Sequence, residues 1–235
     1  MSATLEPMDI QTSLFDGAVM KYRHATHDLE MMREIWKDRY YTEGGFDIPH
    51  GAVVLDLGGG VGGFTVFAAQ QYAKKIYTFE PEPSSYDLLV TNTSRNPYAA
   101  TVTAYQAAVT VEGGKTNLSG FGLMEDGVTV NTGTPRVGDE GIEVESCSIH
   151  DVLGWESHWD VLKVDIEGYE VTLLNAFTRE EFDKIGMITM EFHGDGEEDA
   201  QANGKAIKDY LAVHDFEVSM NWAWGNQGRI QAKRP

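Results

Sequence analysis

The chain has 235 residues, 42% of them hydrophobic and 23% charged, and this composition is typical of one folded domain rather than a disordered chain. With 18 basic and 37 acidic residues, the net charge of −19 disfavours nucleic acid or an anionic membrane as a partner. The single cysteine, Cys147, excludes an internal disulfide. Because we find neither an apolar run long enough to span a membrane nor a secretory signal pattern, we expect a cytoplasmic protein. The oligomeric state stays open.

The N-terminal part, residues 1–45, is predicted to be a helical segment that packs on the main domain or forms a lid over it. Residues 1–17 are weakly patterned, and the first helix signal lies at 28–36, where Met32, Ile35 and Trp36 share one face. Residues 46–235 are predicted to form the main domain. Its glycine-rich interval near 110–143 is interpreted as a decorated hairpin or as a mobile substrate loop.

From residue 52 onward, short apolar runs alternate with helical segments. We predict strands at 52–57, 75–79, 101–106, 160–165 and 186–192, and helices at 62–72, 84–92, 169–177 and 197–213. Residues 215–220 and 228–232 are predicted to be paired antiparallel strands. This order specifies an α/β fold with an open sheet, in which ligands bind outside the carboxyl ends of the strands.

The strongest motif is the glycine-rich turn that follows the strand at 52–57. Gly58, Gly59, Gly60 and Gly62 let a ligand approach the backbone closely and expose amides at a helix N-terminus. Asp56 is expected to face the same crevice and to hold an amino group or water. The spacing of Gly58, Gly60 and Gly63 also fits dinucleotide-binding folds, so this turn alone does not decide the ligand.

Acidic residues end three further predicted strands. Glu80, followed by Pro81, is placed to accept hydrogen bonds from the hydroxyls of an adenosine ribose. In the segment 163–170, Lys163 and Asp165 share one face of a strand, and Asp165 reaches its carboxyl end. Lys163 and Glu170 have a structural alternative, in which they pair with each other and tie strand to helix.

The next predicted strand carries Glu191 and His193 on one face, and a histidine at a crevice rim can act as a general base. Asp165, Glu191 and His193 together offer two oxygens and one nitrogen to a divalent metal ion. Carboxylates at adjacent strand ends are also common without metal, so a metal site stays open.

The segments 56–65, 77–83 and 163–170, with a lead-in at 34–41, resemble the FkbM family of S-adenosylmethionine-dependent methyltransferases. The resemblance implies a Rossmann-like, mostly parallel seven-stranded sheet with helices on both faces and an antiparallel C-terminal strand. It also implies transfer of a methyl group to a hydroxyl of a small molecule or sugar. In this sequence Gly59-Gly60 stands where the family often has Ala-Asn.

The resemblance also implies roles for individual residues. Asp56 and the amides of the glycine turn would hold the methionine part of the cofactor, and Glu80 and Pro81 the ribose. Asp165 would contact the reacting centre, and His193 would be the base with Glu191 beside it. Two alternatives remain: a nicotinamide-dependent oxidoreductase that uses the dinucleotide spacing, and a non-catalytic S-adenosylmethionine-binding module.

Overall fold

The computed structural model describes residues 9–96, 98, 100–120, 122–123, 130–131, 136–138 and 140–235. The strands are β1 (Ile10–Phe15), β2 (Ala18–Arg23), β3 (Val53–Leu57), β4 (Lys75–Phe79), β5 (Thr101–Tyr105), β6 (Ala108–Thr110), β7 (Gly114–Ser119), β8 (Gly122–Leu123), β9 (Val130–Asn131), β10 (Arg136–Gly138), β11 (Ile142–Ser148), β12 (Trp159–Val164), β13 (Ile185–His193), β14 (Glu217–Trp224) and β15 (Gln227–Lys233). The helices are α1 (Asp28–Trp36), α2 (Gly63–Gln70), α3 (Pro83–Arg95), α4 (Ile149–Leu153), α5 (Glu170–Ala176), α6 (Arg179–Asp183) and α7 (Glu197–Val213), and Glu43–Gly45 forms a short 3-10 turn.

The main sheet has seven strands in the order β14-β15-β13-β12-β3-β4-β5. The four pairings from β13 to β5 are parallel, whereas β15 runs antiparallel to both β13 and β14. The sheet is therefore mixed, and its reversed strand is the last one of the chain. The α/β fold predicted from the alternation of strands and helices is confirmed.

The central strands are buried on both faces of the sheet. Along β3, Val54 packs into one apolar cluster and Leu55 and Leu57 into the other, because successive side chains of a strand point to opposite faces. The cluster around Val54 includes side chains of α1, α2 and α3, and the cluster around Leu55 includes side chains of α4, α5, α6 and α7. The continuous apolar run at 52–57 is the sequence signature of this double burial.

The N-terminal segment differs from its predicted helical character. Helix α1 lies at the predicted position, but β1 and β2 precede it as an antiparallel hairpin around Asp16 and Gly17. Both turn residues have positive φ, +47° and +91°, as tight hairpin turns require. The buried face of the hairpin includes Ala18 and Met20, which pack with α1 and α2. A lid role for residues 1–45 stays a prediction.

The glycine-rich interval contains part of a second sheet, with the order β10-β7-β11-β6. β7 is antiparallel to β10 and β11, and β11 is parallel to β6. Residues 121, 124–129, 132–135 and 139 of this interval lie outside the described residues. The choice between a decorated hairpin and a mobile loop therefore stays a prediction. Among the described residues, no helix combines the length and apolar character needed to cross a membrane.

Candidate active site

Two adjoining cavities lie where the parallel strands of the main sheet end. β3, β4, β12 and β13 end at Leu57, Phe79, Val164 and His193. Residues of α1, of the turn after β3 and of the loop after β12 line both cavities: Met31, Gly58, Gly60, Val61, Asp165 and Glu167. The carboxyl ends of parallel strands share one edge of a sheet, so side chains distant in sequence meet here.

The glycine turn after β3 is held against the end of β4 by its own amides. The N–H groups of Gly58 and Gly59 both donate to the carbonyl of Phe79, at 3.0 and 2.8 Å. The N–H of Gly60 donates to Oε2 of Glu80 at 2.8 Å. The structure thus differs from the expectation that these amides are free for a ligand. Because its glycines have no side chains, the turn still lets a ligand approach the backbone closely.

Gly58 and Gly62 both adopt left-handed backbone conformations. Gly58 has φ +80°, and a Cβ atom there would lie 1.7 Å from the carbonyl oxygen of Asp165. Gly62 has φ +88°, forms the N-cap of α2 and donates its N–H to the carbonyl of Gly59 at 2.9 Å. The absence of a side chain at Gly58 therefore lets the turn after β3 contact the loop after β12.

Asp56 lies beneath this turn rather than in the crevice. It is fully buried, and its Oδ2 accepts hydrogen bonds from the hydroxyls of Thr65 at 2.6 Å and Thr78 at 3.2 Å. Asp56 is paired in register with Lys163 on β12, whose Nζ lies 3.4 Å from Oδ1. This pairing turns the carboxylate inward, and the expectation that it faces a ligand is wrong. Burial raises the pKa of Asp56 despite the opposing effect of Lys163.

Lys163 joins the two carboxylates at the ends of β3 and β12. Its Nζ lies 3.6 Å from Oδ2 of Asp165, in addition to the contact with Asp56, and donates to the backbone carbonyl of Gly58. Burial alone would lower the pKa of Lys163, but the two carboxylates outweigh it and raise the pKa. The alternative in which Lys163 pairs with Glu170 is wrong, because Glu170 has other partners.

Glu80 and Pro81 line the first cavity, as the sequence predicts. The two carboxylate oxygens of Glu80 accept the N–H groups of Gly60 and Glu82, each at 2.8 Å. The side chain is buried, and burial raises its pKa to about 7 against the opposing effect of these hydrogen bonds. Apolar residues of the same cavity include Phe79 and Ala107. A buried acceptor beside an apolar wall suits the hydroxyls and ring of a nucleoside.

Asp165 lies between the cavities and accepts a hydrogen bond that the sequence did not reveal. The hydroxyl of Tyr41 donates to its Oδ2 at 2.8 Å, and Nζ of Lys163 lies 5.4 Å from the centre of the tyrosine ring. Tyr41 is buried and lines the second cavity. The only sequence signal for Tyr41 was the family resemblance at 34–41. Its contact with Asp165 could not be predicted, because the two residues are 124 positions apart in the chain.

His193 is surrounded by carboxylates in the second cavity. Its Nδ1 lies 3.0 Å from Oε1 of Glu170, and its Nε2 lies 3.5 Å from Oε2 of Glu167 and 3.9 Å from Oε1 of Glu191. Burial alone would lower the pKa of His193, but its hydrogen bond to the Glu170 carboxylate and the charge of Glu167 raise the pKa to about 10. These carboxylates favour the protonated imidazole, whereas the general base expected from the sequence needs the neutral one.

Glu167 was not among the residues singled out from the sequence, although it lies inside the motif at 163–170. It adopts a positive φ of +56°, which non-glycine residues rarely do outside turns and functional sites. One donor atom each of Asp165, Glu167 and His193 lies within 4.8 Å of the other two. Burial raises the pKa of Glu167 and of Glu191 to about 8. The negative charges of neighbouring carboxylates act in the same direction.

Most of the residues predicted from the sequence converge on the cavities. The first cavity is lined by Gly58, Gly60, Glu80, Pro81 and Asp165. The second is lined by Gly58, Gly59, Gly60, Asp165, Glu191 and His193. Of the predicted residues, all of which are described, Asp56 and Gly62 line neither cavity.

The comparison with known families shows which family this chain belongs to. Residues 56–218 match the methyltransferase FkbM domain. The chain belongs to this family. The match includes the glycine turn, Glu80, the motif at 163–170 and both Glu191 and His193, whereas the cavity-lining residues between 23 and 41 lie outside it. The protein is therefore a methyltransferase.

Relatives of this FkbM-family chain cover most of its length. It is 27% identical over 209 residues to 31-O-demethyl-FK506 methyltransferase FkbM of Streptomyces tacrolimicus, covering 76% of this chain and 79% of the relative. It is 25% identical over 144 residues to hexuronic acid methyltransferase AglP of Haloferax volcanii, covering 60% of this chain and 56% of the relative.

A solved structure supports the fold assignment. The crystal structure of the M. jannaschii tRNA m1G37 methyltransferase superposes with a TM-score of 0.52 at 16% identity, covering 97% of this chain. The chain spans 58% of the length of that protein. At this identity the likeness concerns the fold alone.

Proposed function

We propose that this FkbM-family protein transfers the methyl group of S-adenosylmethionine to a hydroxyl oxygen of a small molecule or sugar. The observation that carries the proposal is the position of the buried Glu80 carboxylate, which lines one cavity and accepts the N–H of Gly60 from the glycine turn. An adenosine-containing cofactor needs an acceptor for its ribose hydroxyls next to a backbone that it can approach closely. Glu80 and the glycine turn together provide both.

The first cavity suits the adenosine part of the cofactor. Glu80 would accept hydrogen bonds from the ribose hydroxyls, and the apolar lining residues Phe79, Ala107 and Val109 would pack against the adenine ring. The glycine turn and Asp165, which line both cavities, would hold the methionine part. Asp56 acts indirectly, because it holds Lys163 and thereby the end of β12.

The second cavity suits the acceptor and the chemistry. The methyl group passes in line from sulfur to oxygen, so the protein has to position the acceptor and remove its proton. Asp165 lines both cavities, whereas Glu191 and His193 line only the second. Glu191, whose Oε1 lies 3.9 Å from Nε2 of His193, is the side chain we assign to the acceptor's proton, with Asp165 next to the reacting centre.

The acceptor class follows from charge and from the relatives. The names of two relatives refer to methylation of FK506 and of a hexuronic acid. The net charge of −19 and the acidic second cavity disfavour a phosphate-rich acceptor such as RNA. Family membership also disfavours a nicotinamide-dependent oxidoreductase, and the carboxylates beside Asp165 have no clear part in hydride transfer. A binding module without turnover would not need them either.

Transfer of labelled methyl groups tests the proposal. The protein is incubated with S-adenosylmethionine labelled in its methyl group and with polyketide and sugar acceptors that carry free hydroxyls. We expect label on a hydroxyl oxygen, and about a 100-fold lower kcat for Glu191→Gln with little change in cofactor affinity. The exposed Glu143 gives the matched control, since Glu143→Gln removes the same charge from a side chain that lines neither cavity. Label recovered on nitrogen or on RNA would contradict the proposal.

A further inference from the structure

We propose that a divalent cation of the Mg²⁺ or Mn²⁺ type binds between Asp165, Glu167 and His193. The proposed function explains what such an ion would do, but the binding of the ion is a separate claim with its own test. Asp165 and Glu167 lie in the loop after β12, His193 is the last residue of β13, and all three line the second cavity.

The distances between the donor atoms suit one ion. One atom from each of the three side chains lies within 4.8 Å of the other two, and Nε2 of His193 is 3.5 Å from Oε2 of Glu167. Around a cation with bonds of about 2.1 Å, neighbouring donors lie about 3.0 Å apart and opposite donors about 4.2 Å apart. Side-chain movements of less than an ångström would therefore complete the coordination.

The imidazole of His193 is oriented as metal-binding histidines usually are. Glu170 is buried, accepts the N–H groups of Gly168 and Ile166, and holds Nδ1 of His193 at 3.0 Å. A carboxylate on one ring nitrogen fixes the tautomer and directs the other nitrogen at the ion. Here the other nitrogen, Nε2, faces Glu167 and Glu191. The cation would take the place of the proton on Nε2.

The charges of the second cavity favour a cation as well. Five carboxylates line it, those of Glu30, Glu34, Asp165, Glu167 and Glu191. Among the described residues of this lining, Lys163 is the only lysine or arginine, and its ammonium is already held by Asp56 and Asp165. Two oxygens and one imidazole nitrogen are donors that Mg²⁺ and Mn²⁺ accept. When bound, such an ion lowers the pKa of an acceptor hydroxyl.

Binding of Mn²⁺ to chelator-treated full-length protein tests the proposal without any substrate. After removal of the chelator, Mn²⁺ is added and the free ion is counted by electron paramagnetic resonance, with Mg²⁺ as competitor. We expect one Mn²⁺ per chain. Glu167→Gln should weaken binding about tenfold or more, and Glu170→Gln, which weakens the support of His193 and of the loop that carries Glu167, by a comparable factor. Circular dichroism establishes that both variants are folded.

Glu34→Gln is the matched control, because it removes the same charge from the same cavity without removing a ligand. We expect its Mn²⁺ affinity to stay within about threefold of the wild type, since a charge outside the ligand set acts only at long range. The proposal is overturned if the wild type binds no Mn²⁺ at saturation, or if Glu167→Gln binds it as tightly.

Titration of the same chelator-treated protein with S-adenosylmethionine separates this inference from the proposed function. Cofactor binding without Mn²⁺ binding would overturn the metal site and leave the methyltransferase assignment standing. Mn²⁺ binding that is lost in Glu167→Gln, without any cofactor binding, would support the metal site and overturn the proposed function.

Discussion

At the scale of single residues, Lys163 connects the stability of the fold to the site. Its ammonium is 3% exposed and lies between a fully buried carboxylate, Asp56, and a carboxylate at the cavity, Asp165. A charge with so little access to water is tolerated only when its partners stay in place. The pair thus fixes the end of β12 against the end of β3, where the cavities begin.

Replacing Lys163 tests this connection. Lys163→Met leaves Asp56 as an uncompensated buried charge, so we expect the free energy of unfolding to fall by about 3–5 kcal/mol, measured by denaturant titration. In the double variant Asp56→Asn/Lys163→Met, the free energy of unfolding should fall by less than the sum of the decreases in the two single variants. As control, Lys75→Met removes a more exposed ion pair with Glu156 and should have a much smaller effect. Additive losses would contradict this account.

Glu80 gives a pH dependence of stability whose sign is fixed by its raised pKa. The unfolded chain loses this proton near the usual pKa of 4.5, whereas the folded protein keeps it to a pKa of about 7. Between these values the folded state binds more protons, so stability falls as pH rises. Below pH 4.5 the two states bind the proton equally.

The variant Glu80→Gln removes this titration. Its free energy of unfolding relative to the wild type should therefore rise by roughly 3 kcal/mol between pH 4.5 and pH 8. Denaturant titrations of both proteins at several pH values measure this difference, and all other titrating groups are common to both. A difference that does not change with pH would show that Glu80 is not buried as described.

At the scale of elements, the glycine turn after β3 has two positions with opposite demands on space. Gly58 and Gly60 both have positive φ, +80° and +52°. A Cβ at Gly58 would overlap the carbonyl of Asp165, whereas one at Gly60 would meet nothing within 4 Å. The turn and the loop after β12 can keep their contact only without a side chain at Gly58.

The alanine variants of these two glycines separate steric overlap from backbone strain. Gly60→Ala should lower the free energy of unfolding by about 1–2 kcal/mol, because it only places an alanine in a left-handed backbone conformation. Gly58→Ala adds an overlap with backbone that cannot be relieved by rotating a side chain, so we expect a clearly larger loss, about 3 kcal/mol or more. Thermal and denaturant unfolding measure both. Equal losses would contradict the close approach of the two loops.

The order of strands and helices was predictable because buried strands appear as apolar runs and their ends carry the acidic residues. That is why Glu80, Asp165, Glu191 and His193 could be named from the sequence. The hairpin at β1 and β2 was missed although the turn pair Asp16-Gly17 is a hairpin signal. The helices α4 and α6 have five residues each, too few to show a helical period.

Contacts between distant segments were not predictable from one sequence. The inward turn of Asp56 depends on its register with Lys163, which only the order of strands in the sheet determines. The hydrogen bond from Tyr41 to Asp165 and the position of Glu170 against His193 likewise depend on the folded chain. Periodicity and local motifs report one segment at a time and carry no such information.

At the scale of the whole molecule, the N-terminal segment contributes side chains to the lining of the first cavity. Arg23 at the end of β2 is buried, and its guanidinium donates to Asp28 at 2.9 Å, to Ser84 at 2.7 Å and to Ser85 at 3.0 Å. It therefore joins the hairpin to α1 and to the first turn of α3. Arg23, Asp28 and Ser85 also line the first cavity, so this cavity is built from the N-terminal segment as well as from the main sheet.

The most direct test of the methyltransferase account is calorimetric titration of the protein with S-adenosylmethionine and, separately, with NAD. We predict saturable binding of S-adenosylmethionine at one site per chain and no comparable binding of NAD. The affinity should fall about tenfold or more in Glu80→Gln, because the ribose loses a charged acceptor, and stay unchanged in Glu143→Gln. Binding of NAD in preference, or binding of S-adenosylmethionine that Glu80→Gln leaves unaltered, would contradict the account.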